Sequence, residues 1–396
     1  MAEKVGSLMD KNVPSQLDEA DLMAEIELEI PSTDDGPLLM DPDIEIEITE
    51  EEDGGATVDF DPEDEREEVG FTENLAENIS DMELGRISSD LLGEFDANKA
   101  SRQEWEDAYT DGLELLGFNY EERSQPFRGA SGVTHPLLAE AATQFQAQAF
   151  NELLPSSGPV RTVIMGERTR AKQEQSERVR HFMNYYVTNV MEDYTPDMDQ
   201  MLFYLPLAGS TFKKIYFDEV AGRAMSKFVP AEQLIVPYDT SDLDNCPNVT
   251  HIVRMGLNDL RKQQLAGIYL DMDVIPAQGD VSEVQGEINR ISGVEPSQID
   301  YDCTLLECHV DLDLKGFEEV DDEDEPTGVK LPYIVTISQD NGKILSIRRN
   351  YKEDDSLKRK IQYFVHFKFL PGFGFYGLGL IHTIGGLSRT ATAALR

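Results

Sequence analysis

Residues 362–396 read QYFVHFKFLPGFGFYGLGLIHTIGGLSRTATAALR, and this stretch decides what kind of fold the chain builds. Tyr363, Val365, Phe367 and Phe369 alternate with Phe364, His366 and Lys368, the two-residue period of a strand. Pro371-Gly372 then turns the chain, and glycine recurs at 372, 374, 377, 379, 385 and 386. Glycines in such a run mark left-handed backbone or a close approach of two backbones. From about Tyr376 the pattern becomes helical, and Ser388–Arg396 is rich in alanine. Neither a C-terminal glycine nor a following proline stops that helix, as expected of a chain truncated inside it.

Working outward, helices and strands alternate irregularly, which predicts an α+β fold. Residues 73–117 carry apolar side chains at helical spacing, including Ile87, Leu91, Trp105, Tyr109 and Leu113. Thr134 is expected to cap a helix running from Leu137 to Leu154, with Pro136 in its first turn. A short strand is expected at 160–165. A long amphipathic helix is expected at 167–193, with Val179, Phe182, Met183, Tyr186, Val187 and Val190 facing inward. A further helix follows at Asp197–Leu205. Strands are predicted at Ser210–Asp218, Ala224–Val229, Leu234–Val236 and Val249–Met255. Asn258 is placed to cap a short helix to Leu265, and Val281–Ile291 reads as a helical patch within a polar loop. Strands return at Thr304–Leu314, Tyr333–Ser338 and Ile344–Arg349. The last two flank Asn341-Gly342, a strong hairpin signal.

The charge is unevenly spread. Residues 1–70 hold 25 of the 77 acidic residues and 3 of the 34 basic ones, which is −22 of a formal −43. With little apolar area to bury, this leader is expected to be disordered. Its alternating patches, Ile26–Ile30 and Ile44–Ile48, would suit a strand added to a partner. An acidic chain lacks the cations that displace counterions from DNA, so it either avoids DNA or lets DNA pass without gripping it. Three cysteines make no disulfide framework and point to a reduced, intracellular setting. The N-terminus lacks the apolar core of a signal peptide, and no apolar run reaches the roughly 18 residues of a membrane helix.

Few residues form a chemical constellation. Cys303, Cys308 and His309 lack the second half of a zinc site, and a strand would point 303 and 308 to opposite faces. Ser131 and His135 sit in a glycine-rich turn without a nucleophile elbow or an orienting acid, so a turn-and-cap role fits better. Gly377-Leu-Gly379 and Gly385-Gly386 lack the Lys-Ser/Thr of a phosphate loop. No catalytic residue, cofactor site or metal site is expected. The bases are more suggestive. Arg161, Arg168, Arg170, Lys172, Arg178 and Arg180 cluster around one helix. Lys343, Arg348, Arg349, Lys352, Lys358, Arg359, Lys360 and Lys368 form a second group. Arg348, Arg349, Lys358, Arg359 and Lys360 are the candidate contact for a partner or another subunit. The plainer reading of both groups is a solvated face paired with neighbouring acids.

Three segments carry a resemblance: Gly129-Ala-Ser-Gly-Val-Thr-His-Pro-Leu-Leu-Ala-Glu140, Leu153-Leu-Pro-Ser-Ser-Gly-Pro159 and Phe375-Tyr-Gly-Leu-Gly-Leu-Ile-His-Thr-Ile-Gly-Gly-Leu-Ser388. Together they resemble tailed-bacteriophage portal proteins, the head-to-tail connectors of short-tailed phages and their marine relatives. The likeness spans about residues 75–396 and rests on the order of segments rather than on a catalytic motif. The acidic leader, 1–72 and expected to be disordered from its composition, is not a general feature of such proteins; the likeness implies an α+β wing at 73–255. It further implies a first stem helix with its connecting loop at 256–300, a β-rich clip at 301–370 and the start of a second stem helix at 371–396. Gly377, Gly379, Gly385 and Gly386 would then let stem helices pack closely. The implied assembly is a homo-oligomer of twelve at a capsid vertex in the virion, put together in the host cytoplasm. Its partners would be the terminase large subunit, capsid and tail adaptor proteins, and double-stranded DNA in transit, with no membrane, no cofactor and no enzyme activity. The alternative is an acidic interaction protein whose residues 1–70 mimic DNA toward a basic partner.

Overall fold

A computed structural model gives the fold of residues 47–50, 56–59, 70–118, 127, 131–218, 221–274, 282–293, 302–320 and 326–396. The chain divides into two units, Met1–Glu68 and Val69–Arg396. In the first unit β1 (Glu47–Glu50) pairs antiparallel with β2 (Ala56–Asp59), Ile48 opposite Val58. Part of the leader expected to be disordered is therefore a hairpin. The Ile26–Ile30 patch lies outside the described residues.

The second unit is built on two antiparallel sheets. Before them come α1 (Asp81–Ser101), α2 (Gln103–Leu113), α3 (Leu137–Leu153), α4 (Arg170–Tyr185) and α5 (Tyr194–Ala208). Gly209, at φ +84°, turns α5 directly into β3 (Ser210–Asp218), which pairs with β4 (Arg223–Pro230). β5 (Leu234–Ile235) and β6 (Asn248–Gly256) open the second sheet, and α6 (Leu257–Leu265) and α7 (Glu283–Ser292) follow. β7 (Asp302–Leu312), β8 (Leu331–Ser338) and β9 (Ile344–Arg349) complete a five-stranded sheet in the order β5-β6-β7-β8-β9. The chain then returns: β10 (Phe364–Lys368) adds to the free edge of β3, and α8 (Leu380–Leu395) closes the unit.

The alternation on β7 explains the layering. Leu306, Cys308 and Val310 face α1 and join Ile87, Leu91 and Phe95 in one core. Cys303 and Leu305 turn to the other face, under Leu260 of α6. The largest core lies between the three-stranded sheet and α2, α3 and α8, around Trp105, Tyr109, Phe212, Phe364, Phe375 and Tyr376. Asn74 covers the edge of β9: its amide donates to Leu345 O, and its carbonyl oxygen accepts from Ile347 N at 2.9 Å.

Several expectations need correction. The segments expected as a wing (73–255) and a clip (301–370) are joined to each other by strand pairing. β6 pairs with β7 over nine residues, Asn248↔Val310 to Gly256↔Asp302, and β10 pairs with β3. Strand pairing between distant segments satisfies backbone groups whatever their separation in sequence. The helix expected as a first stem, α6, has nine residues, about 14 Å at ~1.5 Å each, and it lies on the sheet through Leu260. The expected strand at 160–165 forms no ladder and is held instead by side chains of α4. The helix expected over 167–193 is α-helical only to Tyr185 and continues as a π-turn at Tyr186–Val190. Its expected inward residues Val179, Phe182 and Met183 are exposed. α8 begins at Leu380 rather than near Tyr376, which is buried in the core.

Candidate functional site

The loop between β10 and α8 is where the unit is knotted together. Phe375 lies against His366 at 4.6 Å and Phe212 at 5.9 Å between ring centroids, and Tyr376 stacks on Trp105 at 4.7 Å. Arg102, at the α1–α2 junction and 1% exposed, reaches into the same place. Its guanidinium donates to Ala231 O (2.9 Å), Glu232 O (2.8 Å), Leu234 O (3.1 Å) and the Tyr376 hydroxyl (3.1 Å). Five donors on a rigid fork suit such a junction, because each unpaired buried carbonyl would cost free energy. Glu106 lies 3.4 Å from Arg102 Nε. Burial raises the Glu232 carboxyl to about 7 despite the opposing charge of Arg102.

The glycines divide into two kinds. A Cβ on Gly379 would stand 2.0 Å from Leu207 O and 2.8 Å from Gly209 N, and one on Gly377 would meet Gly209 O at 2.5 Å. These two are required by backbone crossing backbone within this chain, and Ser210 Oγ accepts from Gly377 N at 2.7 Å. Gly385 has only Leu115 Cδ1 at 3.6 Å, and a Cβ on Gly386 would meet nothing within 4 Å. The close approach is thus intramolecular at 377 and 379, whereas Gly385 is buried beside Leu115 with room for a methyl group and Gly386 faces open space.

A second buried cluster joins the two sheets. Lys214 on β3 donates to both carboxylate oxygens of Glu307 on β7 at 2.6 Å. His309 Nε2 stands 2.8 Å from Glu307 Oε1, and His251 Nδ1 on β6 lies 3.8 Å from Oε2. Burial pushes the Glu307 carboxyl up, but the two imidazoles and the Lys214 ammonium outweigh it and hold it well below its ordinary value. Burial lowers both histidines, with Glu307 acting in the opposite direction. A neutral His309 therefore donates Nε2–H to an ionised Glu307. The rings of Tyr363 and Phe364 cover His309. The sequence shows Lys214 and Glu307 only as polar residues in two strands 93 positions apart, with no local signal that they meet.

The residues singled out as a partner contact are engaged internally. Arg349 donates to Gly70 O (3.1 Å) and Phe71 O (3.0 Å), and its guanidinium lies 5.3 Å from the Phe71 ring. Arg348 donates to Thr72 O and Ile268 O. Lys360 donates to Cys246 O at 3.1 Å, Lys358 pairs with Glu319, and Arg359 pairs with Asp355 at 2.9 Å. These bases clamp segments of their own chain. The first basic cluster is different: Arg161, Arg168, Arg170, Lys172, Arg178 and Arg180 are all exposed.

Cys303 and Cys308 lie in different cores, and no metal-binding group of three or more ligands occurs among the described residues. Ser131 Oγ accepts from Val133 N within its own turn, while His135 N donates to Thr392 Oγ1 and ties the turn to α8. Thr134 does not cap α3; its hydroxyl accepts from Arg396. Arg396, Arg290 and Arg389 line a cleft of about 550 Å³ with Leu113, Phe118 and Thr392. No helix among the described residues is long and apolar enough to cross a membrane.

No protein-family model matches the chain, and no curated protein is significantly similar to it.

Proposed function

We propose that the chain is a structural subunit of a closed homo-oligomeric ring, and that the ring is a portal-type conduit for viral DNA. One observation carries the self-assembling part. Helix α4 runs for sixteen residues without a buried side chain, and Val179, Phe182 and Met183 stand in solvent along one stripe. α8 likewise leaves Leu387 and the open Gly386 on its outer face. A lone helix of this length is marginal in water, so such surfaces suit a subunit that copies of itself cover.

The portal-type part is supported by the order of the three quoted segments and by charge. A conduit gains from an acidic body that does not hold DNA, since each phosphate contact slows transit. The twelve-fold number, the terminase and the head and tail partners belong to this proposal through the resemblance. Mass photometry of the purified full chain tests it: a single large species at a fixed multiple of 44.5 kDa, with a closed ring in negative stain, is the expected result. A monomer at micromolar concentration refutes it.

A further inference from the structure

Residues 159–190 form an arm. An extended stretch lies along α4 and is tied to it twice. Thr162 and Ser176 exchange hydrogen bonds, Thr162 Oγ1 to Ser176 O at 3.1 Å and Ser176 Oγ to Thr162 Oγ1 at 2.8 Å. Asn184 holds Val160 by both backbone groups, at 2.9 and 3.1 Å. The root is anchored to β4: the Tyr186 hydroxyl accepts from Ala224 N at 3.0 Å, and Arg223 donates to Val190 O at 2.8 Å. Arg223 and Lys227 also bridge Asp193 just beyond the π-turn. The arm is thus preorganised at its base and uncovered along its length.

Its uncovered surface is both apolar and basic. Val163 is 78% exposed, Met165 87% and Phe182 62%. Val163 and Met165 are exposed and alternate with half-buried Thr162 and Ile164, so they share the outer side of this stretch. Val179, Phe182 and Met183 sit at i, i+3 and i+4 on α4, so they share one stripe. Within 159–190 there are six Lys/Arg and three Asp/Glu, a net of +3, whereas the rest of residues 71–396 carries −24. The charge of this element thus opposes that of the rest of the body.

We propose that this arm docks on an acidic face of a second copy of the chain and is the contact that propagates the assembly. The proposal deepens the ring reading and rests on it. An arm inserted into a neighbour is a head-to-tail contact, which closes into a ring when the rotation per subunit allows. A DNA duplex would pair with the bases but leave five apolar side chains wet. A copy of this chain covers both.

The test compares the full chain with two variants in sedimentation velocity and mass photometry, at low and at 0.5 M salt. The first variant is Val179→Ser/Phe182→Ser/Met183→Ser, and the second is Arg178→Glu/Arg180→Glu. Both change exposed residues, so the thermal midpoint should match that of the wild type. The expected result is self-association weakened at least tenfold in the first variant. The second should be weakened several-fold at low salt, with a shallower salt dependence. A third variant, Val163→Cys, labelled with a benzophenone maleimide, should photocrosslink to a second copy. The native cysteines are all buried, so labelling falls at that position. This third arm stays informative even where a multiple variant folds poorly. Wild-type rings that all variants reproduce, without a crosslink, overturn the arm and leave the ring reading intact. A wild-type dimer that the variants dissolve supports the arm and refutes the ring. A wild-type monomer at every concentration overturns both. Assembly unchanged while affinity for a short DNA duplex drops in the second variant overturns the proposal in favour of a nucleic-acid contact.

Discussion

Replacing Lys214 by methionine keeps the aliphatic stem but removes the ammonium that faces Glu307. Two unit charges 2.6 Å apart attract by about 6 kcal/mol in an effective dielectric near 20. Desolvating the ammonium costs several kcal/mol of that, and this cost is recovered when the charge is removed. The remaining carboxylate keeps the His309 N–H at 2.8 Å, and both side chains of the pair are 17% exposed, which softens the penalty. The net expected loss for Lys214→Met is about 3 kcal/mol near pH 7.5. Glu307→Gln alone should cost a similar amount, because it strands the ammonium instead. The double variant leaves no buried charge and should recover more than half of the summed loss, so the coupling read from the cycle is large. Urea unfolding followed by the fluorescence of the single tryptophan, Trp105 in the adjoining core, reads all four proteins. The loss in Lys214→Met should shrink as pH falls. A proton taken up by Glu307 or His309 neutralises the stranded charge, so the folded state then binds more protons than the unfolded one. If Lys214→Met costs under about 1 kcal/mol, or the double variant is no better than the sum of the singles, the two sheets are not joined through this pair.

Two further outcomes follow from the same structure. Glu232 has a folded value of about 7 against an ordinary 4.5, so its burial favours the protonated form. Stability on this account is full below pH 4.5 and falls as pH rises to 7, and Glu232→Gln should remove that slope and gain up to about 3 kcal/mol at pH 8, checked by thermal unfolding across pH. Gly379→Ala should destabilise severely or abolish folding, because its Cβ would meet backbone at 2.0 Å. Gly386→Ala, in an open helical position, should stabilise the subunit by about 1 kcal/mol, and equal melting shifts of the two variants would contradict this division.

Most of the elements were legible in the sequence because their cause is local. β3, β6, β7, β8 and β10 were each expected within about two residues of their observed bounds, β10 from its two-residue period. The Asn341-Gly342 pair marked the β8–β9 hairpin, where Gly342 takes φ +65°. The α+β class followed from these patterns and is what the structure has. The glycines of 372–379 announced a close backbone approach, though not which backbone they approach.

What failed was everything that depends on a distant partner. An apolar stripe at 179, 182 and 183 says that a helix has a face to cover, and the sequence offered no way to see that this chain leaves it bare. Arg348 and Arg349 looked like surface charge, but only the tertiary structure brings the carbonyls of Gly70, Phe71 and Thr72 beneath them. Nothing local in the sequence showed that β6 and β7, separated by a long excursion, pair over nine residues. The sequence by itself determined the charge asymmetry, the strand and helix inventory and the lack of a recognisable catalytic motif. The tertiary structure alone decided that Lys214 meets Glu307, that Arg102 meets Tyr376 and that α4 stands uncovered. Side-chain type and spacing set local conformation through short-range sterics, whereas long-range contacts depend on how whole elements fill a shared core.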